Sequence, residues 1–184
     1  MTILPFSTVT ATAGDQAAER LAGVVTGWAR SAAEALMWCG ERDFPVPAER
    51  IGQWHQDDEV RPYLLIDDPT GPAGPTGPAG GGQLVGYGEL WLDAEEDEIE
   101  LARIIVAPER RGQGLGQGLT RGLLAEARAV GRRDVFLRVH PDNATALRCY
   151  RAAGFTPIAA ELAAEWNIPQ PVDYVWLEPG PAGD

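Results

Sequence analysis

Two spacings of apolar residues alternate along this chain, and the points where one gives way to the other mark out its elements. From about Ala17 to Trp38 apolar positions return every three or four residues, which predicts helix with a break near Ser31. Before it, STVT reads as a short strand, with a capping region near Asp15. PAERIGQWH predicts a short helix after Pro47, and RPYLLIDD a strand. QLVGYGELWLD predicts the next strand, and after the acidic turn another runs from about Glu98 to Val106. Leu115, Leu119 and Leu123 recur at helical spacing, and that helix ends near Gly131. RDVFLRV reads as an apolar, buried strand. Asp142 or Asn143 then caps a helix running to Ala153 and stopped by Gly154, and DYVWLEP is a last strand before a Pro/Gly tail. The order β-α-α-β-β-β-α-β-α-β predicts a mixed α/β domain with one prominent strand–glycine turn–helix unit.

Composition narrows this picture. A chain of 184 residues with 45% apolar residues predicts a single globular domain, 1–184, with a sizeable core. PTGPAGPTGPAGGG mimics the collagen triplet too briefly to form a triple helix, so residues 69–82 read as a mobile loop and 179–184 as a short tail. No apolar run is long enough to span a bilayer and no basic-then-apolar leader is present, so the expectation is a soluble, cytoplasmic protein without membrane partners. The two cysteines, Cys39 and Cys149, show no metal-ligand spacing, and no metal is expected. A net charge of −12 argues against nucleic-acid binding and is compatible with a cationic or amine substrate. The 15 basic residues are all arginine. Without a lysine, neither a Walker nucleotide site nor Schiff-base chemistry is available.

The stretch RRGQGLGQGL concentrates the chemistry. Glycines on alternate positions stand where a strand that ends at Val106 passes, by way of Pro108, into a helix. A helix N-terminus offers unpaired N–H groups and about half a positive charge, and glycine lets a ligand approach those donors without a Cβ in the way. Arg110 or Arg111 adds charge. The spacing is a pyrophosphate cradle, yet the dinucleotide fingerprint fails because Gln117 stands where its third glycine belongs. Asn143 and Tyr150 are seven residues apart, about two helical turns, and so share a helix face.

VAPERRGQGLGQGL resembles motif A of the GNAT superfamily of acyl-CoA-dependent N-acyltransferases, with Arg111, Gly114 and Gly116 filling its core, and NATALRCYRAAGF resembles the segment that follows in that family. The similarity covers about residues 8 to 178. It implies a single GNAT-type domain, with a central mixed, mostly antiparallel twisted sheet flanked by helices, and acetyl-CoA as acetyl donor. It further implies that Ile104, Ile105 and Val106 clamp the pantetheine arm and that Arg111, Gly112, Gln113, Gly114, Leu115 and Gly116 hold the pyrophosphate. Asn143 would touch the cofactor, Tyr150 would protonate the departing thiolate, and a backbone N–H at the splayed end of the Glu98–Val106 strand would polarise the thioester carbonyl.

The acceptor amine is charged at neutral pH, so a base is required. Glu100 is the first candidate, four residues before Ile104, where histone-acetylating members carry a glutamate. Members that act on ribosomal-protein N-termini often use a glutamate on the next core strand, where this chain has Arg138. Glu89 and Glu98 are reserves, and His140 is a further candidate. The run DAEEDEIE reads either as a hairpin turn facing water or as a guide for cationic substrates. Cys149 reads as packing beside Tyr150. Trp38, Phe44 and Trp54 are candidate walls of the acceptor pocket, with Glu89 beside them. The expected reaction is acetyl transfer to a small-molecule primary amine by direct attack in a ternary complex. A peptide or protein N-terminus as acceptor and a silent acyl-CoA-binding module are the alternatives, and a homodimer is left open.

Overall fold

The computed structural model describes residues 1–11, 15–67 and 82–181. Seven strands form one sheet: β1 (Thr2–Pro5), β2 (Val60–Asp67), β3 (Gln83–Asp93), β4 (Glu98–Val106), β5 (Asp134–Val139), β6 (Phe155–Pro157) and β7 (Val175–Pro179), in the order β1-β2-β3-β4-β5-β7-β6. Every neighbouring pair is antiparallel except β4 and β5. A parallel pair needs a crossover, and α5 (Leu115–Val130) supplies it. The other helices are α1 (Phe6–Thr10), α2 (Asp15–Thr26), α3 (Ala32–Cys39), α4 (Glu49–Trp54), α6 (Ala144–Ala152) and α7 (Ala160–Asn167).

The sheet is covered on both faces. Leu119, Leu123 and Ala127 of α5 pack with Leu65, Leu90 and Leu101 on one side, while Leu21 and Val25 of α2 pack with Leu64, Ile66 and Tyr87 on the other. Burial on both faces is why RPYLLIDD is apolar without alternation. Two glycines of β3 let α5 come close. A Cβ at Gly88 would stand 2.7 Å from Leu123 Cδ1, and one at Gly86 would stand 3.0 Å from Leu119 Cδ2.

Several expectations need correction. The first strand is Thr2–Pro5, and STVT lies in α1, where Phe6 and Val9 bury one face at a spacing of three. The sheet therefore begins at residue 2 rather than near residue 8. The break expected near Ser31 is found: the periodic segment divides into α2 and α3, with Ser31 capping α3 by accepting from Glu34 N at 3.1 Å. β6 and α7 were not anticipated: β6 has three residues, and α7 has no buried side chain to create a periodic signal. β5 is only half buried, since its even positions face solvent and an aromatic cluster instead of α5. Of the Gly/Pro segment, only Gly82 lies within the described residues.

Leu123 is fully enclosed between α5 and the sheet. Leu123→Ala is expected to lower unfolding free energy by about 2–5 kcal/mol in a denaturant titration.

Candidate active site

β4 and β5 pair only through Glu98–Glu100 against Asp134–Phe136. From Leu137 onward β5 pairs only with β7, on its opposite edge. The two strands part, and a cleft of about 970 Å³ opens between them. Ile104, Ile105 and Val106 line one wall, Val139 and His140 face them, Asn143 and Tyr150 come from α6, and Trp38 comes from α3.

The glycine turn closes one end of this cleft. Ala107 N donates to Val85 O at 2.9 Å, Pro108–Arg110 form a single 3₁₀ turn, and the chain enters α5 through Gly112 (φ 76°) and Gly114 (φ 79°). At neither position would a Cβ meet an atom within 4 Å, so these two glycines serve left-handed backbone beside open space. Gly114 caps α5 with no side-chain hydrogen bond, leaving the first-turn N–H groups facing the cleft without an intrahelical acceptor. Gly116 has a different reason. A Cβ there would stand 2.9 Å from Cys149 Sγ, so this glycine lets α6 approach α5. Cys149 thus forms part of the cleft wall, a more specific place than packing alone.

The arginines of the turn are anchored to protein. Arg111 donates to Val106 O and Trp28 O, both at 3.0 Å, and pairs with Glu34 at 2.6 Å. It lines the cleft while tying α3 and the end of α2 to the turn. Arg110 pairs with Asp67 and donates to Gln83 and to Gln113. Gln113 is turned toward these neighbours and does not line the cleft, unlike Gly112, Gly114, Leu115 and Gly116.

Asn143 and Tyr150 share a helix face, as their spacing predicts, and both line the cleft. Asn143 is the cap: its Oδ1 accepts from Ala146 N at 3.1 Å. The Tyr150 side chain is buried, and desolvation pushes its phenol well above the ordinary value, with Cys149 adding to the shift. It is therefore a neutral O–H donor at any working pH.

Glu100 is the last residue of β4 that pairs with β5, where the two strands separate. Its carboxylate, 13% exposed, meets Arg138 Nε at 3.1 Å. Burial lifts its pKa to about 7, against the opposing pull of Arg138 and then Arg103. Arg138 is itself ringed by Trp91, Tyr174 and Trp176, 5.3 to 5.8 Å from its guanidinium, and donates to Gln170 Oε1 at 3.1 Å. Asn167 of α7 holds this cluster by bonding Tyr174 N, Tyr174 O and Trp176 Nε1.

The acceptor-side expectations divide. Trp38 lines the cleft and donates to Arg103 O at 2.8 Å. Phe44 is 44% exposed and lines neither cleft described here. Glu89 is fully buried and outside the cleft lining, its oxygens accepting from Tyr87 Oη, Trp91 Nε1 and Arg103 Nη1. Trp54 lies edge-on to Trp38 and lines a second cleft of about 500 Å³, together with Asp57, Glu59, Asp93 and Glu98. Glu100, Trp91 and Arg103 line both clefts. His140 Nδ1 accepts from Asp142 N at 3.2 Å, and its ring stands edge-on to Tyr174.

Residues missed in the sequence are Arg148, Trp91 and Tyr174, all lining the first cleft. Arg148 carries no spacing signal, since five residues after Asn143 put it about 140° round the helix. Trp91 and Tyr174 carry no local signal, because strand register alone brings them to Arg138. Among the described residues, no cluster of three or more His, Cys, Asp or Glu could hold a metal, and no helix is long and apolar enough to cross a membrane.

Comparison with known proteins agrees with this geometry. Mycothiol acetyltransferase of Thermobispora bispora is 37% identical over 129 residues, 67% of this chain and 42% of that protein. The Geodermatophilus obscurus mycothiol acetyltransferase is 32% identical over 152 residues, covering 77% and 47%. The chain thus spans less than half the length of these curated relatives. Spermidine N-acetyltransferase of Vibrio cholerae, solved with CoA and spermine, shares the fold at a TM-score of 0.61 with 16% identity, over 86% of this chain and 82% of that one. The profile of the acetyltransferase (GNAT) family matches residues 30–155. With its sheet parted between β4 and β5 and a glycine turn opening α5 into the gap, the chain belongs to the acetyltransferase (GNAT) family.

Proposed function

We propose that the chain transfers an acetyl group from acetyl-CoA to a primary amine of a small, cationic molecule, by direct attack in a ternary complex. The observation that carries this reading is the meeting of two oppositely charged clefts at Glu100. The first cleft is lined by Arg103, Arg110, Arg111, Arg138 and Arg148 against Glu34 and Glu100. The second is lined by Asp57, Glu59, Asp93, Glu98 and Glu100 against Arg103 alone. An anionic donor and a cationic acceptor are thus each favoured in a different cleft. The names of the relatives, mycothiol and spermidine acetyltransferases, support a small-molecule acceptor.

The residues present fit acetyl-CoA. Open space beside Gly112 and Gly114, uncapped N–H groups at α5 and the arginine excess suit a diphosphate, and Ile104–Val106 offer an extended backbone edge to a pantetheine arm. When bound, the thioester supplies an activated acetyl group on a good leaving group. Glu100 takes the proton of the attacking ammonium, and a carboxyl near 7 lies closer to an alkylammonium at about 10.4 than an ordinary glutamate does. Tyr150 donates its O–H to the departing sulfur. Since burial raises its pKa, its main contribution is a hydrogen bond to the forming thiolate.

Calorimetry with CoA and thiol release from acetyl-CoA test this reading together. Glu100→Gln and Tyr150→Phe are expected to keep CoA affinity while losing about 10²–10⁴-fold in turnover. Absence of heat with CoA would remove the donor assignment, and CoA binding without turnover on any amine would leave a silent binder. Glu100 must be ionised to accept a proton and its folded pKa is raised, so kcat/KM should fall as pH drops through about 7. That acidic limb should vanish in Glu100→Gln. For the acceptor, a second cationic group should lower KM, and added salt should raise KM more for a dication than for a monocation.

A further inference from the structure

One side chain, Arg103, stands between the two clefts and lines both. β3 advances from Tyr87 to Glu89 while β4 advances from Ile105 to Ala102, so β4 carries one extra residue opposite Gly88. Arg103 occupies that bulge with φ 45°, a left-handed conformation that a bulky, charged residue does not take by preference. The parity of β4 records the consequence. Ile99 and Leu101 face α5 before the bulge, and Ile104 and Val106 face it afterwards.

What holds Arg103 there is all side-chain chemistry. Its guanidinium lies 3.8 Å over the Trp54 ring and 4.7 Å from that of Trp91. Arg103 Nη1 donates to Glu89 Oε2 at 2.8 Å, and Trp38 Nε1 donates to Arg103 O at 2.8 Å. Glu89 is in turn fixed by Trp91 Nε1 at 2.6 Å and by the Tyr87 hydroxyl. Because that hydroxyl hydrogen goes to Glu89, the His55 Nε2 at 3.0 Å from Tyr87 Oη must be the donor, and His55 is neutral, its pKa lowered to about 4 by burial and by Arg103. The Arg103 Nε is buried with no partner, so Glu89 and the two indoles, not solvent, decide where the guanidinium sits. A buried ion pair adds little net stability, but removing one partner leaves the other charge uncompensated.

We propose that Arg103 is a positioning residue for acetyl transfer: clamped between Trp54 and Trp91 and paired with buried Glu89, it locks the β4 bulge in the register that turns unpaired backbone N–H toward the cleft, where the acyl carbonyl is held. The wall of the acceptor cleft thereby sets the geometry of the donor cleft. This rests on the acyl-transfer reading above, with the bulge amide as the group that polarises the carbonyl.

Arg103→Met keeps length and apolar contact and removes the fork. Two readouts are used: kcat and KM with acetyl-CoA, and the carbonyl stretch of a bound, ¹³C-labelled ketone analogue of acetyl-CoA that cannot transfer. The expected result is a fall in kcat of tenfold or more with KM for acetyl-CoA changed less than threefold. The carbonyl stretch should move from its red-shifted position in the parent toward its value in water. Arg103→Lys, which keeps charge without the planar stack, should recover only part of both. Should Arg103→Met fail to fold, the isosteric Glu89→Gln is read the same way. Unchanged kcat and an unchanged stretch in the variant overturn the proposal. A parent protein that binds the analogue without turnover overturns the acyl-transfer reading instead, and the stretch still decides on Arg103: a shift lost in the variant supports the brace, and one retained sinks it.

Discussion

The site exists because β4 releases β5 after three residue pairs. A sheet normally satisfies its backbone groups by continuing the ladder, and an open seam in its middle must be supported from elsewhere. Here β5 is held from Leu137 onward by β7 on its opposite edge, and β4 by β3 on its other edge through the bulge at Arg103, so the edges that face the seam are left open. The seam is then flanked by the mouth of α5 on one side and by α6 on the other. Donors, phenol and carboxylate converge on it because they come from elements that meet only there.

Charge is distributed around the seam in a way the net value hides. A chain with a formal charge of −12 collects arginines on the first cleft and carboxylates on the second. Glu100 is lifted by burial and held ionisable by Arg138, whereas Glu89, two residue pairs along the β3–β4 ladder and next to the bulge, is saturated by three donors. Two glutamates of similar sequence context thus have different surroundings, one at the junction of the two clefts beside Arg138 and one enclosed and paired with Arg103. The aromatic residues serve the same division, with Trp54 and Trp91 on Arg103 and Trp91, Tyr174 and Trp176 around Arg138.

Much of this was open to reading along the chain. The bounds of β3 and β4, the helix of Leu115, Leu119 and Leu123, a cap at Asp142 or Asn143, which the structure places at Asn143, and the shared face of Asn143 and Tyr150 follow from period and local chemistry, which act over a few residues. The glycine turn was legible for the same reason, since left-handed backbone at Gly112 and Gly114 is a local demand. Where local signals are weak the reading failed: STVT, β-branched and polar, belongs to α1, and α7 buries no side chain.

The sequence alone therefore determined the elements around the turn, the exposed helix mouth and the family they resemble, because each rests on contacts within a few residues. Tertiary structure decided the uses of the charged groups. Arg111 and Gln113 turned out to be anchored to protein, Glu89 to be enclosed, and Glu100 to stand between two clefts beside Arg138. Those outcomes depend on burial and on which strand lies opposite which. One extra residue at Arg103 reverses the faces of everything after it in β4, and a reversal of that kind is settled only when the neighbouring strand and helix are in place.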